Sequence, residues 1–373
     1  MAIQLNSEES ILLLTSRPYL SAADDERLSG LIRSGQVEWP FVLWRSHDYR
    51  TTSMLQYHVN RLTLESSLPD DVQHYLESWA ALSQAHLLTL YRELGSVLSA
   101  LDHAGVDCYL TKGSALGPLY YPNPLARSMQ DLDLMIHPDD AQRAQRAMLD
   151  LGYRHGLWNP GTNELESRDY RITPESLQYY HELPSLTKCV SMRSPVPKSL
   201  VPWSWRRKYI KCFIDDVGIL TVPVFVDLHV NLSQGIELAD VWRDAKHEQV
   251  LGRLVRVHSP TGMLWFIASR LYHEAFQYST LKLSMFGDVS AILEKRGGDV
   301  DWTEVVAIGK KYGMHPGLYY VLSQIKNIAR ADVPDPVLDF LRPDARGIPS
   351  EHDWGDVLPK LLVQPVVREI SLA

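Results

Sequence analysis

The run Asp131-Leu-Asp-Leu-Met-Ile136 sets two acids at alternate positions in an otherwise apolar stretch. Alternate side chains of a strand share a face, so Leu132, Leu134 and Ile136 turn toward a core while Asp131 and Asp133 project together from the other side. Their Cα atoms then lie about 6.5 to 7 Å apart, from the strand rise. Two carboxylates at that spacing reach one hard cation, or two cations about 3.5 to 4 Å apart. An all-oxygen donor set suits Mg2+, and Mn2+ can stand in for it.

The surrounding sequence places this strand in a mixed fold. Leu87, Leu90, Leu94, Val97, Leu98 and Leu101 recur three and four apart, which predicts one long helix over residues 71–103, ended by Gly105. Shorter helices are expected at 7–14, 22–34 and 49–66, between Pro18, Pro40 and Pro69. At Val106 the character changes to a short β-rich run that stops at Gly113. A helix follows the acidic strand over 138–151, with Pro138 in its first turn and Gly152 beyond its end. The alternation of Val-Pro-Val-Phe-Val-Asp-Leu-His-Val over 222–230 marks a third strand, with Phe225, Asp227 and His229 on one face. Helical periodicity returns over 261–276, 280–295, 302–312 and 315–329, and the final stretch reads as an irregular tail or a short closing helix.

These segments predict an α/β (α+β) protein with a short mixed sheet. A helical region spans residues 1–104 and a catalytic core 105–235, with a long insertion at about 153–221 that has no clean periodicity. A second helical region covers 236–373. With 45 acidic against 37 basic residues, the formal charge of −8 argues against broad nucleic-acid binding. The one candidate basic patch is 203–211, which mixes Trp203, Trp205 and Tyr209 with Arg206, Arg207, Lys208 and Lys211. Three scattered cysteines, the absence of an export signal and the absence of a long apolar run predict a cytoplasmic protein with no membrane span.

Between the first two strands, Gly113-Ser114 follows a strand and opens a short helix. Glycine there permits close backbone approach to a phosphate, and the first amides of a helix favour an anion. Lys112 and Arg127 are placed to offset phosphate charge. The combination of a Gly-Ser turn, Asp131-Leu132-Asp133 and a later single carboxylate, Asp227, resembles the nucleotidyltransferase superfamily that includes DNA polymerase β. The stretch from Tyr109-Leu-Thr-Lys-Gly-Ser-Ala-Leu to Gln130-Asp-Leu-Asp-Leu-Met-Ile more narrowly resembles a bacterial family of largely uncharacterised nucleotidyltransferases. The resemblance covers roughly residues 5–325 and is close only over 109–153. Ser128-Met129-Gln130 departs from the proline and glycine usual before the acids, and Asp227 stands where glutamate is frequent.

The resemblance implies a polymerase β-like core using two Mg2+ ions held by Asp131, Asp133 and Asp227. Lys112, Gly113, Ser114 and Arg127 would then hold an NTP donor. The acceptor would be a hydroxyl on a small molecule, peptide or protein, attacking the α-phosphorus and releasing pyrophosphate. His229, His181 and His273 are candidates for the acceptor pocket, each weighed against an ordinary structural role. Asp288, on an apolar helix face, needs a buried partner, for which Arg270 or His273 are candidates. Two other classes remain open: a glycosyl or other transferase using a nucleotide-linked donor at the same metal site, and a non-catalytic nucleotide-binding or regulatory protein.

Overall fold

The first helices start where a side chain or a proline deals with the amides that have no partner in a first turn. Asn6 accepts the Glu9 amide while Glu9 accepts that of Asn6, opening α1 (Ser7–Thr15). Ser21 caps α2 (Ala22–Arg33), and Pro40 sits in the first turn of α3 (Trp39–Asp48). The helix expected over 49–66 forms only as α4 (Thr52–Arg61): Arg50, with a left-handed φ of 58°, separates it from α3, and Thr63, with φ of 51°, lies just beyond its end. The long helix is present as α5 (Asp70–His103), and Gly105 (φ 64°) lies just beyond its end.

The computed structural model describes residues 5–343 apart from 174, 176, 178–180, 202–208, 233–234 and 279–281. The chain divides into two units. Residues up to 77, with 120–122 and those from 260 onward, form one; residues 78–119 and 123–259 form the other.

The second unit is built on a mixed sheet. Chain order runs β1 (Cys108–Leu110), α6 (Lys112–Tyr120), β2 (Asp131–Ile136), α7 (Ala141–Asp150), β3 (Arg154–Asn159), β4 (Glu164–Ser167) and β5 (Leu186–Arg193). It continues through β6 (Phe213–Ile214), β7 (Ile219–His229), α8 (Leu238–Arg243), β8 (Ala245–Val250) and β9 (Arg253–His258). Across the sheet the order is β4-β3-β5-β7-β2-β1-β9-β8, with β6 also on β7. The sheet is mixed, as expected: β2 runs parallel to β7, and β1 antiparallel to β2 but parallel to β9. It is also broader than a short sheet. The stretch 153–221 supplies four of its strands, and the sheet continues to His258, beyond the boundary expected at 235.

Sheet register separates the two faces. Leu132, Leu134, Val224 and Val226 are fully buried on one of them. That face is covered by α5, through Glu93 paired with Lys188 at 3.0 Å and Thr89 against Met192. The expected apolar stripe of α5, Leu87 through Leu101, is buried throughout. The acids belong to the opposite face.

In the first unit, α9 (Pro260–Tyr278), α10 (Leu283–Arg296), α11 (Trp302–Lys311), α12 (His315–Gln324) and α13 (Asp335–Leu341) follow the predicted helical stretches closely. Asp288 is buried on α10 and accepts a hydrogen bond from the Tyr121 hydroxyl at 2.7 Å. Arg270, one of its expected partners, instead pairs with Glu274. His273 is exposed on α9.

Candidate active site

Parallel pairing of β2 with β7 brings the acids together. Asp131 stands opposite Phe225 and Asp133 opposite Asp227, and paired residues point to the same side of a sheet. The Asp-x-Asp pair and the later carboxylate therefore share one patch of sheet face, although a long stretch of sequence separates them.

The turn from β1 into α6 brings the cation. Lys112 has a φ of 46°, a left-handed conformation that costs a residue with a Cβ about 1 to 2 kcal/mol. Its ammonium lies 2.5 Å from Asp133 Oδ1. Ser114 is fully buried, and its Oγ accepts the Asp133 backbone N–H at 3.1 Å, tying the turn to the acidic strand. Gly113 does not need its glycine for backbone conformation. A Cβ there would come within 2.8 Å of Arg127 Nη1 and 3.0 Å of Met129 Cγ, so its bareness is what lets Arg127 lie across the turn.

His229, on the same face as Asp227, joins this network. Its Nε2 is 2.9 Å from Asp133 Oδ1 and 3.1 Å from Lys112 Nζ, while Nδ1 is 3.4 Å from Glu182. One imidazole nitrogen cannot donate to the carboxylate and accept from the ammonium at once, so its tautomer is tied to where the Lys112 protons point. His181 stacks on His229, with ring centroids 6.3 Å apart, and its carbonyl accepts the amide of Val230. Of the three candidate histidines, His229 and His181 thus meet at the acids, and His273 belongs to the first unit.

The carboxylates perturb one another. Burial, then the charges of Asp133 and Asp227, push Asp131 up to about 6. Burial also raises Asp227, with Asp133 adding to the effect and a hydrogen bond from Ser185 opposing it. Burial disfavours the Asp133 anion too, but Lys112 and His229 outweigh it and hold that carboxyl below the usual carboxylate range. Among the described residues no three His, Cys, Asp or Glu side chains are gathered to enclose a metal ion, and Asp133 turns Oδ1 to Lys112 and His229. The donor set nevertheless fits a hard divalent cation: three carboxylates share one face, and two of them are held in an environment that disfavours their charge.

Ser185 and Gln130 join this face without any sequence signal that marks them as site residues. Ser185 bonds to Asp227, and Gln130 donates to the Tyr209 carbonyl at 2.8 Å, fixing the chain just before Lys211. The Lys211 ammonium sits 4.3 Å from the Phe225 ring centroid and lowers the pKa of Asp131. Lys211 is the charged end of the basic patch expected over 203–211; residues 203–208 lie outside the described ones. No described helix is long and apolar enough to cross a membrane.

Comparison with known proteins agrees with this chemistry. A family model described as an uncharacterised nucleotidyltransferase matches residues 35–329. No curated protein matches. Among solved structures, the antibiotic-resistance factor ANT(2'')-Ia is 14% identical with a TM-score of 0.34, covering 61% of this chain and 94% of its own. That likeness is too slight to carry inference. The family match spans most of the chain and includes every residue of the acidic face, and on it the chain belongs to the uncharacterised nucleotidyltransferase family.

Proposed function

We propose that the second unit moves a nucleoside monophosphate from an NTP to a hydroxyl acceptor, with release of pyrophosphate. The observation that carries this reading is the register of β2 on β7, which sets Asp131, Asp133 and Asp227 on one face beside the Lys112-Gly113-Ser114 turn. Transfer at phosphorus asks little covalent chemistry of a protein and a great deal of positioning and charge compensation.

In this reading Lys112 and Arg127 hold the β- and γ-phosphates over the bare backbone of Gly113, with the first amides of α6 directed at the same oxygens. Lys112 would pass from Asp133 to the triphosphate as the donor arrives. Mg2+ held by Asp131 and Asp133, with Asp227 beside them, would neutralise charge developing at the α-phosphate. Asp227, whose burial makes it a better proton acceptor than an exposed aspartate, takes the acceptor's hydroxyl proton. The acceptor oxygen forms its bond to the α-phosphorus as the bond to the β-phosphate oxygen breaks, and pyrophosphate leaves with the electron pair. His229 fixes the Asp133 carboxylate, and His181 braces His229.

The test is pyrophosphate release from each of the four NTPs with Mg2+, Mn2+ or EDTA. Metal-dependent release that disappears in Asp131→Asn and Asp133→Asn proteins with wild-type circular dichroism supports the reading. A folded wild type that neither binds nor turns over any NTP overturns it.

A further inference from the structure

Beside the acids the second unit holds a cavity of about 790 Å³, within the size range of sites for small organic ligands. Asp131 and Asp227 form one of its walls. The rest comes from the stretch that lacks periodicity: Trp158 on β3, Tyr170, Glu182, and Lys211 above Phe225. No residue of the Lys112–Ser114 turn lines it, and neither does Arg127.

Strand order gives this division a direction. The sheet runs β3-β5-β7-β2-β1, and the Lys112 turn leaves from the end of β1. Neighbouring strands are about 4.8 Å apart, so the turn and the cavity lie on opposite sides of the β2 acids. In-line displacement requires the attacking oxygen and the departing pyrophosphate to stand on opposite sides of the phosphorus. With the β- and γ-phosphates on the β1 side, the nucleophile arrives from the β7 side, where the cavity opens against Asp227.

Resting on the function proposed above, we infer that this cavity is the acceptor site and that its acceptor is a hydroxyl-bearing organic amine with a ring or aromatic body. The walls carry the chemistry. Trp158 has its ring fixed by an indole N–H bond to Asn163 at 3.2 Å, and with Tyr170 and Phe225 it offers flat apolar surface. Among the described residues of the wall, the carboxylates Asp131, Asp227 and Glu182 face the Lys211 ammonium, which already lies against the Phe225 ring. With Asp131 given over to Mg2+, Asp227 and Glu182 still outweigh Lys211, so these groups disfavour an anionic acceptor and favour a cationic one. Glu182 is exposed enough to meet an incoming amine, while Asp227 meets the hydroxyl.

Tyramine and 4-hydroxyphenylacetate share a phenol and a ring and differ in the charge at the far end, which makes them a matched pair of probes. Each is titrated into the full chain by saturation-transfer NMR, and NTP binding is measured separately by equilibrium dialysis. Tyramine is expected to bind about fivefold or more tightly than the acid. Trp158→Ala and Glu182→Gln are each expected to weaken tyramine about fivefold, as truncation of an anchor does. NTP affinity should stay within about twofold in Trp158→Ala, since no part of that wall meets the triphosphate turn. Glu182→Gln, on an exposed side chain, guards against a folding defect in the tryptophan variant. Equal binding of the two probes, no binding of tyramine, or insensitivity to both substitutions overturns the inference. So does a Trp158→Ala protein that loses NTP instead, because the cavity would then hold the donor's nucleoside. A wild type that binds tyramine but no NTP leaves the cavity assignment without its donor and counts against the parent reading.

Discussion

Lys112 offers the sharpest test of how the site is assembled. Lys112→Met keeps most of the apolar stem and deletes the ammonium, leaving Asp133 Oδ1 with His229 as its neighbour from that pair. The two side chains are 16% and 6% exposed, so the ion pair is largely out of water. An exposed pair contributes about 0 to 1 kcal/mol, whereas breaking a fully buried one costs about 3 to 5 kcal/mol. The intermediate burial here predicts a loss of about 2 to 3 kcal/mol. Part of that loss is the penalty on a stranded Asp133 carboxylate, so Asp133→Asn in the same background should recover some of it. A double-mutant cycle of Lys112→Met and Asp133→Asn is therefore expected to give a coupling of about 1 to 2 kcal/mol. Urea unfolding followed by circular dichroism and tryptophan fluorescence measures the cycle, and NTP turnover on the same proteins should fall about a hundredfold with the ammonium gone. Coupling below about 0.5 kcal/mol, the usual limit of additivity, would refute the claim that Lys112 holds the Asp133 charge in place.

Three further outcomes follow from the geometry. Gly113→Ala puts a methyl 2.8 Å from Arg127 Nη1, the end of a flexible side chain, so unfolding should shift by less than about 1 kcal/mol while the KM for NTP rises; an unchanged KM would show that Arg127 need not lie there. Tyr121→Phe removes the hydroxyl bonded to buried Asp288, and a loss of about 1.5 to 3 kcal/mol is expected in the same urea assay. His58 and His86, both buried, are held down at about 4 by desolvation, with a backbone bond to Arg17 partly opposing this at His58 and the charge of Lys211 adding to it at His86. Their folded pKa values lie below the unfolded value of about 6.5, so protons bind the unfolded chain more tightly and stability falls as pH drops from about 6.5 toward 4, by up to about 3 kcal/mol for each residue. His58→Gln and His86→Gln proteins with an undiminished acid slope would contradict this.

The parts of the fold written in short-range periodicity were legible in the sequence. The β2 bounds at Asp131 and Ile136, the long α5, and the glycines beyond the ends of α5 and α7 all follow from residue spacing and local backbone demands. What stayed hidden depends on partners far along the chain. β3 to β6 read as irregular because edge and hairpin strands, open to water, lack the apolar alternation of a buried one; exposed Leu157 and buried His155 on β3 invert it outright. The division at Arg50 rests on a single backbone angle. Tyr121 lies far from Asp288 in sequence and sits on no helix face, so a search confined to the neighbouring helix could not find it. At the site, carboxylate spacing named Asp131 and Asp133, but Lys211 and Ser185 come to the acids only through the course of loops.

The pairing of Asp133 with Asp227 across parallel strands also bears on how such a site can change over evolutionary time. The chain between β2 and β7 adds β3 to β6 to the β7 side of the sheet and reaches the acids through Ser185 and Lys211, yet the meeting of the three carboxylates does not depend on its length. It depends on register: a slip of one residue on β7 would exchange Asp227 for Val226 or Leu228 and disarm the face at a stroke. Under the proposed function, a two-strand cassette would then carry the donor chemistry while the intervening stretch could vary with the acceptor.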